Sequence, residues 1–120
     1  PHSLCREFYI ECTCNMMRPR TIVDYERIPW ILDAGTVRIT FDSDVRAAIG
    51  SYDIFDPGLP ALSVLEPGKL ILEVKFTEML PQLLRDVLPP PAAEFTAVSK
   101  YVLCYEKTRY MNGFEYWYET

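Results

Sequence analysis

The sequence predicts an α+β domain built on antiparallel strands, and three observations carry that expectation. Residues 69–77 (KLILEVKFT) alternate strictly: Leu70, Leu72, Val74 and Phe76 fall on one side of an extended chain, and Ile71, Glu73, Lys75 and Thr77 on the other. Residues 37–42 (VRITFD) repeat the design, with Val37, Ile39 and Phe41 on the apolar side and Arg38, Thr40 and Asp42 on the polar one. Residues 81–88 have the spacing of a helix, and residues 99–109 read as a second behind a Ser99 cap, with a strand as the alternative that their Tyr and Val content leaves. Two amphipathic strands with charged polar faces imply a sheet with one side packed on helices and the other lining a wet, ionic space.

Before that sheet, residues 3–17 predict a helix, with Ser3 as its cap and Glu7 near its first turn. Arg18-Pro19-Arg20 breaks it, because proline cannot continue a helix. Residues 21–32 (TIVDYERIPWIL) are rich in strand formers, and Pro29 marks an edge, a bulge or a strand end. Asp33-Ala34-Gly35 is a turn short enough to make a hairpin into the VRITFD strand. Ser43-Asp44 reads as a bend, and residues 45–49 as a short strand or a helical turn. The stretch 50–67 holds three prolines and two glycines within a loop, with a brief strand expected near residues 52–55. After the third strand, Pro81 opens a short helix with an apolar stripe of Leu80, Leu83, Leu84, Val87 and Leu88. Three prolines, 89–91, end it; Ser99 caps the last helix; and residues 110–120 form an aromatic tail with Tyr110, Phe114, Tyr116, Trp117 and Tyr118. The chain is thus one domain or part of one: a helix over 1–17, strands over 18–77, and helices with the tail over 80–120.

The totals narrow the function. A net charge of −5 gives no electrostatic reason to expect nonspecific nucleic-acid binding. An apolar fraction of 49% supports a packed core, and no apolar run reaches membrane-span length. No signal peptide is visible, and Cys5, Cys12, Cys14 and Cys104 lack zinc-site spacing, so reduced thiols in a cytoplasmic protein are expected. The chain opens at Pro1 without a methionine, which leaves a processed product or a fragment of a longer protein open.

No nucleophile constellation is present, because the single histidine is His2 and no G-x-S-x-G occurs. Phosphate-cradling glycine motifs are also missing. What remains are cations on strands, Arg27, Arg38 and Lys75, with Lys100 at a helix start. Taken singly each has a plain reading. Arg27 would pair with Asp24 or Glu26, Arg38 would bridge to Glu73, Lys75 would be solvated, and Ser99 would be a cap beside a surface lysine. Tyr25 reads as a packing residue. Together the cations read as an anion site, since clustered like charges call for an anion or carboxylate between them and arginine's planar fork suits phosphate. Glu73 could then hold Mg²⁺ or Mn²⁺ bridging to phosphate oxygens.

In order, RPRTIVDYERIPW, VRITFD, LILEVKF followed by LP and a short helix, and SKYVLC resemble the C-terminal half of a VTC (vacuolar transporter chaperone) domain over residues 18–104. That domain belongs to the triphosphate tunnel metalloenzyme group. The resemblance implies about half of an antiparallel β-tunnel with flanking helices, whose basic lumen binds polyphosphate or nucleoside triphosphate. It further implies a polyphosphate polymerase that transfers the γ-phosphoryl group of ATP with Mn²⁺ or Mg²⁺. By motif, Arg27 (Y-x-R) and Arg38 (V-R-I-T-F-D) resemble lumen arginines, and Glu73 (L-E-V-K) resembles the metal-binding carboxylate. Lys75 would line the lumen, and Ser99 and Lys100 (S-K-Y) resemble the pair at a tunnel mouth. Catalytic roles would fall to Arg27, Arg38 and Lys75. The family's first half has no counterpart here, so a cut parent or a homo-oligomer completing the sheet is expected, and the isolated fragment should be inactive. The alternatives are a non-catalytic polyphosphate- or inositol-phosphate-binding module and a tunnel-type triphosphate hydrolase.

Overall fold

A computed structural model describes residues 2–88, 93, 94 and 96–111. The prolines at 89–91 and the tail beyond 111, with Phe114, Tyr116, Trp117 and Tyr118, lie outside the described residues. The described residues form an α+β fold, an open, four-stranded antiparallel sheet with three α-helices. In chain order the elements are α1 (Ser3–Thr13), β1 (Val23–Leu32), β2 (Val37–Ala48), β3 (Ala61–Ser63), β4 (Ile71–Lys75), α2 (Gln82–Val87) and α3 (Lys100–Thr108).

The long strand β2 organises the sheet. β1 runs antiparallel along one of its edges, after a tight 3₁₀ turn at Ala34–Thr36. Two short strands share its other edge. β4 pairs with residues 38–42 of β2, and β3 pairs with residues 46–48. β1 is therefore an edge strand, the position at which Pro29 is tolerated because an edge residue can go without a ladder bond.

A bulge decides which side of the sheet is the core. Asp24 faces Arg46, but Glu26 faces Ser43, so β2 carries one residue more than β1 between these pairs. Asp44 takes it up in a left-handed conformation, φ +50°, which aspartate tolerates better than most residues. An extra residue reverses the alternation that follows. Thr40, Asp42, Val45 and Ala47 are all buried as a result. The polar side of residues 38–42 continues, past the bulge, as an apolar side. Val45 and Ala47 meet Cys104 of α3 there, with Val23, Tyr25, Val64, Leu65 and Ile71 packed around them.

Several expectations change. The helix that covers the sheet, α3, lies over the ionic side rather than the apolar one. The opposite side, with Ile28 59% and Trp30 62% exposed, stays largely open. Residues 45–49 form no separate strand or helical turn, and Ser43-Asp44 no strand-ending bend, because the bulge lets β2 run on to Ala48. The strand in the long loop is at Ala61–Ser63 and not at 52–55, where Asp53 and Asp56 side chains accept from the backbone N–H groups of Phe55 and Gly58 to make turns. α1 is capped by His2, whose Nδ1 accepts from the Leu4 N–H, and not by Ser3; it ends at Thr13, before Met16 turns to φ 58°. Pro81 is the N-cap of α2 rather than a residue of its first turn.

Because Val45 is fully buried at the centre of the small core, Val45→Ala should lower the unfolding free energy by about 2 kcal/mol. Urea midpoints of the two proteins check this.

Candidate functional site: an ionic face on the sheet

The ladder register brings most of the predicted residues to one side of the sheet. Residues directly opposite in an antiparallel ladder project from the same face. Arg27 faces Asp42, which faces Ile71; Pro29 faces Thr40, which faces Glu73; and Ile31 faces Arg38, which faces Lys75. Arg27, Arg38, Glu73 and Lys75 therefore share a face with Asp42, and α3 delivers Lys100 onto it. Ser99 acts on the helix instead. Its Oγ accepts from the Val102 N–H at 3.3 Å and starts α3, which sets where Lys100 departs from the helix.

Asp42 is the centre. Its side chain is fully buried, with no exposed surface. Arg27 donates through Nε to Oδ1 at 2.7 Å and through Nη2 to Oδ2 at 2.8 Å, a two-pronged contact. Lys100 Nζ reaches Oδ2 at 2.7 Å. The Tyr25 ring carries both cations, with Arg27 Cζ and Lys100 Nζ each 5.1 Å from its centroid. Chiefly through its hydrogen bonds from Arg27, and further through Lys100, the Asp42 carboxyl is lowered from 3.8 to about 2, with burial opposing. The same hydrogen bond raises the Arg27 guanidinium above its ordinary value.

The remaining residues form a looser pair and a free cation. Glu73 accepts from Lys75 Nζ at 3.0 Å. That contact replaces the Arg38–Glu73 bridge expected from the sequence, since Arg38 stands opposite Lys75 and Glu73 opposite Thr40. Among the described residues Arg38 makes no ion pair, and it is exposed. Arg27 likewise pairs with Asp42 and not with Asp24 or Glu26; Asp24 is held by Arg46 instead. Among the described residues four cations, Arg27, Arg38, Lys75 and Lys100, thus meet two carboxylates, leaving an excess of two positive charges on this face.

Sequence reasoning missed two participants. Asp42 was visible as a polar-face residue of VRITFD, but its partner Arg27 could be found only from the β1–β2 register. Tyr25 packs against the core as expected, and it also seats the two cations. The described residues contain no cluster of three or more metal-ligating side chains. A cavity of about 360 Å³ opens at the bulge, lined among others by Ser43, Asp44, Ser63, Glu66 and Lys69, and none of the predicted site residues lines it. No described helix is long and apolar enough to cross a membrane, and all four cysteines are free.

An α+β domain whose open sheet bears a cation-rich face, seated on one buried acid, is a scaffold suited to anionic ligands. The chain belongs to the VTC domain family, whose profile matches residues 2–109. That membership suggests a polyphosphate-related function. No curated protein and no solved structure matches the chain.

Asp42 ties stability to pH. A carboxyl depressed in the folded state contributes stabilisation that is complete above its unfolded value, 3.8, and is lost as pH falls through about 2. Acid titration should therefore show stability falling over that window in the natural protein and falling less steeply in Asp42→Ala. At pH 7 the same variant, which strands two cations, should be less stable by about 3–5 kcal/mol in chemical denaturation.

Proposed function

We propose that the ionic face binds the phosphates of ATP and polyphosphate, as part of a polyphosphate polymerase in the full protein. One observation carries this reading: cations from β1, β2, β4 and α3 outnumber the acids on a single face. Such an excess is costly unless an anion joins it, and a polyphosphate chain offers repeated charges at a spacing that several separated cations can follow.

In the transfer, a terminal oxygen of polyphosphate attacks the γ-phosphorus of ATP. The new P–O bond forms as the β–γ bridging bond breaks, and ADP leaves with the electron pair. This chemistry needs no covalent nucleophile, only alignment and neutralisation of charge on the transferring group. Arg38, free of protein partners among the described residues, is the cation best able to engage a phosphate directly. Lys75 sits opposite it on the neighbouring strand. Arg27 and Lys100 offer the N–H groups not spent on Asp42. Glu73, engaged by Lys75 only at Oε1 among the described residues, would hold a Mn²⁺ or Mg²⁺ ion, which would screen phosphate charge. Asp42 is no candidate ligand, since both its oxygens are taken by cations. The pairing of Arg27, Lys75 and Lys100 to protein carboxylates favours a second reading, a module that binds polyphosphate without turnover. Free thiols fit a cytoplasmic setting for either.

Incubating the full-length parent with ATP and Mn²⁺, and scoring long polyphosphate against free phosphate, separates the readings. Chain growth supports polymerase, phosphate release supports hydrolase, and neither with retained affinity supports the binding module. Arg38→Ala should reduce affinity of this chain for tripolyphosphate about tenfold in calorimetry, a loss of one charge-assisted contact. Unchanged affinity would remove Arg38 from the site.

A further inference from the structure

We propose that Asp42 is the positioning residue of the ionic face: it orients Arg27 and Lys100 toward an anion that it does not itself touch. This role rests on the phosphate-binding reading above and extends it to a residue with the opposite charge.

The geometry separates the acid from the solvent. Asp42 is wholly buried, whereas the Arg27 side chain is 39% exposed and that of Lys100 is 18% exposed. An anion arriving from solvent meets the two cations first, with the carboxylate behind them. Each cation keeps donors in hand. A guanidinium has five N–H groups and an ammonium three. Arg27 gives one from Nε and one from Nη2 to Asp42, and Lys100 gives one. Because the guanidinium is planar and rigid, fixing its Nε–Nη2 edge also fixes the direction of the remaining edge. The stems of the two cations come from separate elements, β1 and α3, and both heads lie against the Tyr25 ring. Without a shared counter-charge they would repel and spread. Asp42 removes that repulsion and holds the pair in one arrangement.

Charge alone and positioning make opposite forecasts. Asp42→Asn keeps the shape of the side chain and adds one net positive charge to the face, so charge alone would strengthen anion binding. Positioning requires the reverse.

The test uses the full 120-residue chain, labelled with ¹⁵N and titrated with inorganic tripolyphosphate. The Nε–H resonance of Arg27 reports its contact with Asp42. In the natural protein this resonance should be protected from exchange, and it should stay protected at saturation. In Asp42→Asn, where only a neutral amide oxygen is left to accept, the protection should fall, and tripolyphosphate should bind roughly tenfold more weakly, the equivalent of one well-made charged contact. Equal or tighter binding by Asp42→Asn would overturn the positioning role while leaving the phosphate-binding reading standing. Loss of protection on saturation of the natural protein would overturn it too, since Asp42 would then be a competitor displaced by the ligand. That second measurement decides the matter if Asp42→Asn does not fold. Failure of the natural protein to bind tripolyphosphate at all would sink both readings, an outcome distinct from the other two.

Discussion

A carboxylate taken wholly out of water must be matched, and Asp42 is matched twice. The cost of burying an ion is several kcal/mol, which only close and well-directed partners offset. Arg27 and Lys100 supply them, and in doing so they join three elements that are far apart in the chain. The contact ties β1 to β2 across the ladder and brings the first turn of α3 down on the sheet. Core packing by Val45, Ala47 and Cys104 begins on the same side of β2 a few residues further along. The apolar and the ionic halves of the domain are therefore not separate layers. They are two ends of one surface beneath one helix.

That arrangement explains why the cations can be numerous without opening the structure. Arg27 and Lys100 are held by the acid, and Lys75 is held by Glu73. Arg38 alone among the four stands without an ion pair in the described residues. A face made in this way presents a modest charge excess with defined directions. Membership of the VTC domain family gives that property its context.

Much of this was legible before any coordinates. Strict alternation in LILEVK and VRITFD assigned each residue to its face, and the ladder kept Glu73, Lys75, Arg38 and Asp42 together. Ser99 as a helix cap was equally plain, because a short hydroxyl before a helical stretch satisfies a backbone N–H locally. What could not be read was long-range. Register between β1 and β2 assigned Arg27 to Asp42 and not to its sequence neighbours. The role of Asp44 depended on a bulge whose existence is defined only by its partner strand. Missing the bulge led directly to the wrong expectation about the helix: alternation carried straight through residues 43–47 would put Val45 and Ala47 on the side with Phe41, away from Asp42. His2 capping α1 in place of Ser3 is a miss of one residue, within the usual slack of helix ends.

The inserted residue in β2 acts like a half-step in a spiral stair. Everything on one flight is rotated by a half-turn relative to the other, and both flights then look toward the same room. A chain shortened by a single residue at this point would keep every side chain it needs and aim half of them outdoors. Chain length therefore matters far more at residues 43–44 than in the long loop before β3, where residues can be added or removed without changing which way any strand residue looks.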